Sequence, residues 1–303
     1  MSSVVPRRTA LYVPGSHARA VEKAPHLGAD VVIFDLEDAV APDAKAEARR
    51  RVAEALAAPA GPERVIRING LDTPWGAEDL AAAVAARPDA ILIPKVSSGA
   101  EVERVRAAIR AMDGAAAISL WAMIETPRAV LNPLDIAASR DEMLPLAAFV
   151  LGLNDLSRET GTRQVPGRAP MLPWMMNTLA AARIAGLAVL DGVFNDIADT
   201  AGFAAECAVA RDCGFDGKTV IHPAQIAPCN AAFSPSGEEL AEAERIVTAF
   251  ALPENAGRGA IALGGRMVER LHAEIAARRI AFAAAIARRE AMPDDGAAGR
   301  EAV

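Results

Sequence analysis

Short apolar runs alternate along most of the chain with alanine-rich stretches that also carry Arg and Glu. The runs cover residues 9–13, 29–35, 64–68, 90–93, 117–124, 146–151, 187–190 and 219–221. Each is continuous and apolar rather than strictly alternating, as expected of strands covered on both faces. Between them, residues 19–27, 45–58, 77–86, 100–112, 175–185 and 197–213 read as helices. Strand–helix alternation implies parallel strands joined by crossover helices. Eight strands within roughly 225 residues match a (β/α)8 barrel, a TIM barrel of the α/β class, in count and length. An open doubly wound sheet is the competing arrangement. Against it, no G-x-G-x-x-G follows the first strand.

The alternation stops near residue 227. Residues 1–227 are therefore read as the barrel, 228–290 as a C-terminal helical extension and 291–303 as a disordered tail rich in Asp, Gly and Ala. Within the extension, residues 236–250 read as a helix with Ser236 as N-cap and Glu238 and Glu239 in its first turn. A Pro/Gly/Asn break at 253–259 precedes a longer helix over 267–289. A barrel closes without these helices. Their apolar residues (Ile261, Met267, Val268, Leu271, Ile275 among them) need a surface to cover them, and a neighbouring subunit supplies one.

Composition narrows the class. The chain has 303 residues, 52% of them hydrophobic, enough for a core without disulfide or metal staples. A net charge of −7 argues against general nucleic-acid binding but leaves room for a local cationic pocket. No charge-free apolar stretch reaches the roughly 18 residues of a membrane span, and no apolar segment of signal-peptide type follows Arg7 and Arg8. Three cysteines, Cys207, Cys213 and Cys229, leave one over in any pairing and lack zinc spacing. Free thiols and a cytoplasmic location are the expectation.

In a parallel barrel the chemistry gathers at the C-terminal ends of the strands. The polar residues predicted there are Asp35, Glu37, Asp38, Arg67, Asn69, Lys95, Glu125, Asn154, Asp155, Asp191, Asn195, Lys218 and His222. Polar groups in a barrel mouth must be paired or bound to something. Glu125 and Asp155 follow adjacent strands. Two carboxylates without a nearby Cys or His pair suit a hard cation such as Mg²⁺, which keeps positions open for a chelating acid. The competing reading makes either acid a helix cap. Arg67 shares a strand face with Val65 and Asn69, where its fork can take a carboxylate through two parallel hydrogen bonds or pair with Glu37 or Asp38. Lys95 and Lys218 are less favoured alternatives as Schiff-base nucleophiles. His222 reads first as a hydrogen-bonded strand-end residue. Arg19 and Lys23, next to Pro14-Gly15-Ser16, form either a contact for the phosphates of a ligand or a solvated basic face.

Six segments then occur in one order: Tyr12-Val-Pro-Gly-Ser through Phe34-Asp-Leu-Glu-Asp38 to Asp43, Arg67-Ile-Asn-Gly70, Ile93-Pro-Lys-Val96, Met123-Ile-Glu-Thr-Pro127, Leu151-Gly-Leu-Asn-Asp-Leu156 and Gly217-Lys-Thr-Val-Ile-His-Pro223. Over roughly residues 8–270 the chain resembles the citrate lyase β-subunit-like proteins of the HpcH/HpaI aldolase superfamily. The resemblance implies a TIM barrel and a Mg²⁺-dependent carbon–carbon lyase, with Mn²⁺ as a substitute. Its substrate would be a 3-hydroxyacyl-CoA such as malyl-CoA or citramalyl-CoA, split into a 2-oxo acid and acetyl-CoA or formed from them. It implies Glu125 and Asp155 as metal ligands and Arg67 as the substrate-carboxylate anchor, with Glu125 also on the substrate side and Glu37, Asp38 and Glu269 as further candidate catalytic groups. It also implies a homotrimer or hexamer whose C-terminal segments reach a neighbour's site. Two alternatives stand beside it: a CoA-independent 4-hydroxy-2-oxo acid aldolase, and a non-catalytic subunit that binds the acid or CoA. The sequence departs from its relatives at His17-Ala18, where many carry Asn-Pro, and at Gly265-Arg-Met-Val-Glu269, where lyases often carry an aspartate followed by a proline.

Overall fold

The structure, a computed structural model, describes residues 4–57, 61–112 and 118–291. Its contacts divide the chain into two compact units, one spanning Arg7–Phe233 and the other built chiefly from the residues that follow Ser234.

In the first unit eight parallel strands close into a barrel in sequence order: β1 (Thr9–Pro14), β2 (Val31–Asp35), β3 (Glu63–Arg67), β4 (Ala90–Ile93), β5 (Ser119–Ile124), β6 (Leu146–Leu151), β7 (Ala188–Asp191) and β8 (Gly217–Val220). Pairing of Thr9 with Lys218 and of Leu11 with Val220 closes the ring. Gly217 permits that closure, because a Cβ there would overlap the Arg7 carbonyl oxygen. The helices are α1 (Ala18–Lys23), α2 (Lys45–Leu56), α3 (Gly76–Ala86), α4 (Gly99–Arg110), α5 (Pro127–Leu131), α6 (Pro133–Ala137), α7 (Leu153–Thr160), α8 (Leu172–Ala185), α9 (Thr200–Cys213) and α10 (Ile226–Phe233).

Strand alternation sorts the side chains into two layers. Ala10, Val31, Ile33, Val65, Leu92, Trp121, Met123, Val150 and Leu190 point inward and fill the barrel. Leu11, Val32, Phe34, Ile66, Ile91, Ala122, Phe149 and Val189 point outward against the helices. Continuing the inward rows by one step replaces apolar side chains with Tyr12, Asp35, Arg67 and Glu125. The packed plug thus forms the floor of a charged mouth.

All eight predicted strands are present, with ends shifted by a residue or two. The first predicted helix stops early, because Pro25 turns residues Ala24–His26 into a 3-10 turn. Pro127 and Pro133 each open a one-turn helix, α5 and α6, too short to show periodicity in the sequence. α7, eight residues long, is likewise not among the predicted helices. The barrel unit runs past the boundary read at 227, since α10 packs on β1 and β8.

In the second unit, α11 (Gly237–Ala251) opens with the predicted cap: Glu239 N–H donates to Ser236 Oγ at 3.2 Å and Ser236 N–H to Glu239 Oε2 at 2.8 Å. The long helix, α12 (Arg270–Glu290), packs along α11. Its predicted start at 267 is corrected. Residues up to Glu269 form an antiparallel hairpin, β9 (Ala260–Leu263) and β10 (Arg266–Glu269), turned by Gly264 and Gly265, both with positive φ. The tail over 292–303, and the predicted element ends at Ala58 and Ala117, lie outside the described residues. No helix among the described residues is long and apolar enough to cross a membrane.

Candidate active site

Arg67 ends β3 almost wholly buried, and its guanidinium organises the mouth. Nε and Nη2 donate to the two carboxylate oxygens of Asp35, each at 2.6 Å. Asp35 also accepts the backbone N–H groups of Glu37 (2.9 Å) and Ala39 (3.0 Å), which fixes the turn after β2. Nη1 of Arg67 stands 3.0 Å from Glu37 Oε2 and 3.9 Å from Asp38 Oδ2. The Tyr12 ring lies 4.8 Å from the guanidinium carbon, so one face of the cation rests on a π surface. Burial pushes the Tyr12 phenol well above its ordinary value and keeps it neutral.

Lys95 follows β4 with a left-handed backbone, φ 53°, unusual for a residue other than glycine. This conformation aims its N–H at Glu125 Oε1, 2.8 Å away, while its ammonium pairs with Glu37 and lies 3.4 Å from Asp38. Burial raises the Glu37 carboxyl above the ordinary range, although Arg67 and Lys95 pull it down. At Asp38 desolvation also pushes upward, but Arg67 and Lys95 outweigh it and hold the carboxyl low.

Glu125 is 1% exposed, and its Oε2 has no hydrogen-bond partner. Burial pushes its carboxyl up to about 8; Arg67 opposes that shift, whereas Glu37 and Asp155 add to it. Asp155 stands in the first turn of α7 and accepts a hydrogen bond from Arg158 at 2.5 Å. A buried acid with an orphaned oxygen, beside a second carboxylate, fits a hard cation as the missing partner. Among the described residues no three His, Cys, Asp or Glu side chains gather as a ready-made cage. That agrees with Mg²⁺, which one or two carboxylates hold while water and substrate complete the shell.

Gly152, which the Leu151–Leu156 segment contains but which is not among the predicted site residues, makes room for Glu125. A Cβ at this position would overlap Glu125 Cβ and Oε2 and lie 3.1 Å from its Cδ. Gly152→Ala should fold but turn the carboxylate aside, weakening Mg²⁺ binding about 10- to 100-fold by calorimetry. Unchanged affinity would show that the ion is held elsewhere.

The structure does not bring all predicted site residues together. Asp191 and Lys218 turn out of the barrel and pair with each other at 2.7 Å, fully buried between strands and helices. Arg168 joins Asp191 at 2.6 Å and Glu206 joins Lys218 at 2.6 Å. Alternation explains it, since Lys218 shares a face with outward Val220. Such a lysine has no open position for Schiff-base chemistry. Asn69 lies past the end of β3, so alternation no longer governs it, and it bonds Leu36 and Asp79 instead of facing the mouth. His222 accepts from Ala224 N–H as a cap of a 3-10 turn. Asn154 and Asn195 bond each other. Arg19 and Lys23 are exposed on α1. Glu269, half-buried, belongs to the second unit, where its N–H donates to His272 Nδ1 at 2.9 Å. Cys207 and Cys229 are buried free thiols and Cys213 is half-buried.

A closed parallel barrel with a carboxylate–guanidinium mouth defines a class of TIM-barrel enzyme. Residues 8–223 match the HpcH/HpaI aldolase/citrate lyase family, and the chain belongs to it. It is 47% identical over 284 residues to a (3S)-malyl-CoA thioesterase of Cereibacter sphaeroides, covering 93% of this chain and 96% of the relative. It is 34% identical over 270 residues to the citrate lyase subunit beta of Escherichia coli, covering 87% and 88% of the two chains. Among solved structures, the protein CitE from Mycobacterium tuberculosis in complex with magnesium, acetoacetate and coenzyme A superposes with a TM-score of 0.72 at 32% identity, over 90% of this chain and 97% of that one.

Proposed function

We propose that this protein is a cytoplasmic Mg²⁺-dependent carbon–carbon lyase for a 3-hydroxyacyl-CoA of the malyl-CoA or citramalyl-CoA type. The observation that carries the reading is Glu125, a buried carboxylate with an orphaned oxygen, set beside Asp155 and facing Arg67 across one mouth. These two acids would hold the ion, which supplies positive charge that polarises the oxygen of the 2-oxo-acid half. The Nη1 side of Arg67, beside Glu37, would take the substrate carboxylate, while Asp35 holds the guanidinium through Nε and Nη2. A carboxylate removes the hydroxyl proton, the bond between the second and third carbons breaks, and the electron pair passes into the thioester as an enolate that is then protonated. Glu37, Asp38 and Glu269 are the candidate bases. Arg19 and Lys23, exposed on α1, are the candidate contacts for CoA phosphates.

Hydrolysis of the same thioester is the second reading, favoured by the name of the 47% identical relative. Product identity separates them: malyl-CoA gives glyoxylate and acetyl-CoA by cleavage but malate and CoA by hydrolysis. EDTA should abolish turnover of either kind, Mg²⁺ or Mn²⁺ should restore it, and borohydride with a 2-oxo acid should trap nothing on Lys95 or Lys218. A trapped lysine and full activity in EDTA would replace this reading with a Schiff-base aldolase.

The same reading includes a homotrimer or hexamer in which Glu269 completes the site of a neighbour. Mixing inactive Glu269→Ala with inactive Asp155→Ala should then restore part of the activity, because some shared sites regain both acids. Mixed oligomers confirmed by mass, yet inactive, would assign proton transfer to Glu37 or Asp38.

A further inference from the structure

The turns that carry the charged mouth are joined by a polar network that the chemistry above does not use. Lys45 is the first residue of α2 and is 5% exposed. A cation there opposes the positive end of its own helix, and burying it costs desolvation. Neither helix formation nor packing therefore accounts for it. All three ammonium hydrogens are spent: Nζ donates to Leu36 O at 2.8 Å, Glu37 O at 2.7 Å and Asn69 Oδ1 at 2.9 Å. The Trp75 ring, 5.1 Å from Nζ, covers the ammonium. Asn69 in turn donates to Leu36 O at 2.7 Å and Asp79 Oδ2 at 2.6 Å, and Arg49 Nε reaches Asp79 Oδ1 at 2.9 Å. These bonds tie the turn after β2 to the turn after β3. The first turn carries Glu37 and Asp38, and the second follows Arg67.

We propose that Lys45 is a positioning residue for substrate recognition. Through the carbonyls of Leu36 and Glu37 it sets where the Glu37 carboxylate stands, and through Glu37 it sets the angle of the Arg67 edge offered to a 2-oxo acid. Asp35 alone grips Nε and Nη2; Glu37 is the group beside Nη1. A turn released from Lys45 would let Glu37 follow the ammonium of the half-buried Lys95 and leave Nη1 without its guide. The inference rests on reading Arg67 as the carboxylate anchor.

The test is pyruvate binding in saturating Mg²⁺, followed by calorimetry beside Mg²⁺ binding alone and thermal melting. Lys45→Met keeps the stem and removes the donors. It should weaken pyruvate binding about 10- to 100-fold, leave Mg²⁺ affinity within about 2-fold, and raise KM for the acyl-CoA substrate more than it lowers kcat. Lys45→Arg, which keeps the charge but offers a planar fork, should recover part of the pyruvate affinity. A Lys45→Met protein that melts earlier yet binds pyruvate like the parent below its melting range makes Lys45 a structural fastener and overturns the proposal. Should that variant fail to fold, Asn69→Ala takes its place; a smaller loss of pyruvate affinity supports the proposal and an unchanged value overturns it. Arg67→Lys is the control. If that change also spares pyruvate binding, the anchor reading fails; if it alone weakens binding, the Lys45 proposal fails.

Discussion

Glu125→Gln should lower turnover by about 10³-fold or more, because polarisation by the metal contributes several kcal/mol and each 1.4 kcal/mol is tenfold. The variant keeps the shape of the side chain and the Lys95 N–H contact, so the fold should survive. Its second effect is on protons. With the carboxyl raised to about 8 by burial, the folded metal-free protein holds a proton on Glu125 at pH 7 that the unfolded chain has released. The folded state therefore binds the excess proton between the unfolded value near 4.3 and about 8, and the stability of metal-free protein falls as pH rises through that window. Glu125→Gln should flatten this slope, matching the parent near pH 5 and exceeding it at pH 9. Mg²⁺ must displace the proton, so parent protein should release close to ~1 proton per ion at pH 7, read from calorimetry in buffers of different ionisation heat. The variant should release none from this position. Equal proton release in both proteins would remove Glu125 from the metal site.

The barrel was legible because its strands are short, apolar and bounded by turn residues, and burial on both faces leaves few other arrangements. The C-terminal hairpin was not. Its strands have four residues each, and Met267-Val268 reads equally well as the start of the helix that follows. At the mouth, position after a strand located Glu125, Asp155, Glu37 and Arg67 in the right region, but it could not say which way a side chain turns. Lys218 and Asp191 follow that rule yet form a buried ion pair between layers. Position along the chain makes Asp35, the chief partner of Arg67, only one of several acids, because pairing at 2.6 Å follows from the register of Asp35 with Arg67 across β2 and β3. That register would have been readable only after the strand ends were known. Gly152 and Lys45 left no signal, since each acts through what it permits or fixes in another residue. A buried lysine at a helix start is unusual enough to be sought in other barrels.

Arg67→Lys should raise KM for the acyl-CoA substrate by at least about 100-fold and lower kcat as well, with little change in affinity for CoA alone. The guanidinium divides its donors: one edge serves Asp35 with two bonds of 2.6 Å, while Nη1 stands beside Glu37. A lysine brings one point of charge to a place where two acids and a substrate carboxylate all require it. Held by Asp35, its ammonium abandons the substrate; drawn to the substrate, it strips Asp35, which is 1% exposed, of its counter-charge. Truncation is harsher still. Arg67→Ala leaves Asp35 and Glu37 buried without the cation, and breaking a buried pair in this way costs about 3–5 kcal/mol of stability. Adding Asp35→Asn to Arg67→Ala should return part of that loss, since the neutral amide needs no counter-ion, while activity stays lost. Stability that does not recover in the double variant would mean that the Asp35 carboxylate finds another partner. A normal KM in Arg67→Lys would move the substrate carboxylate away from this side of the mouth.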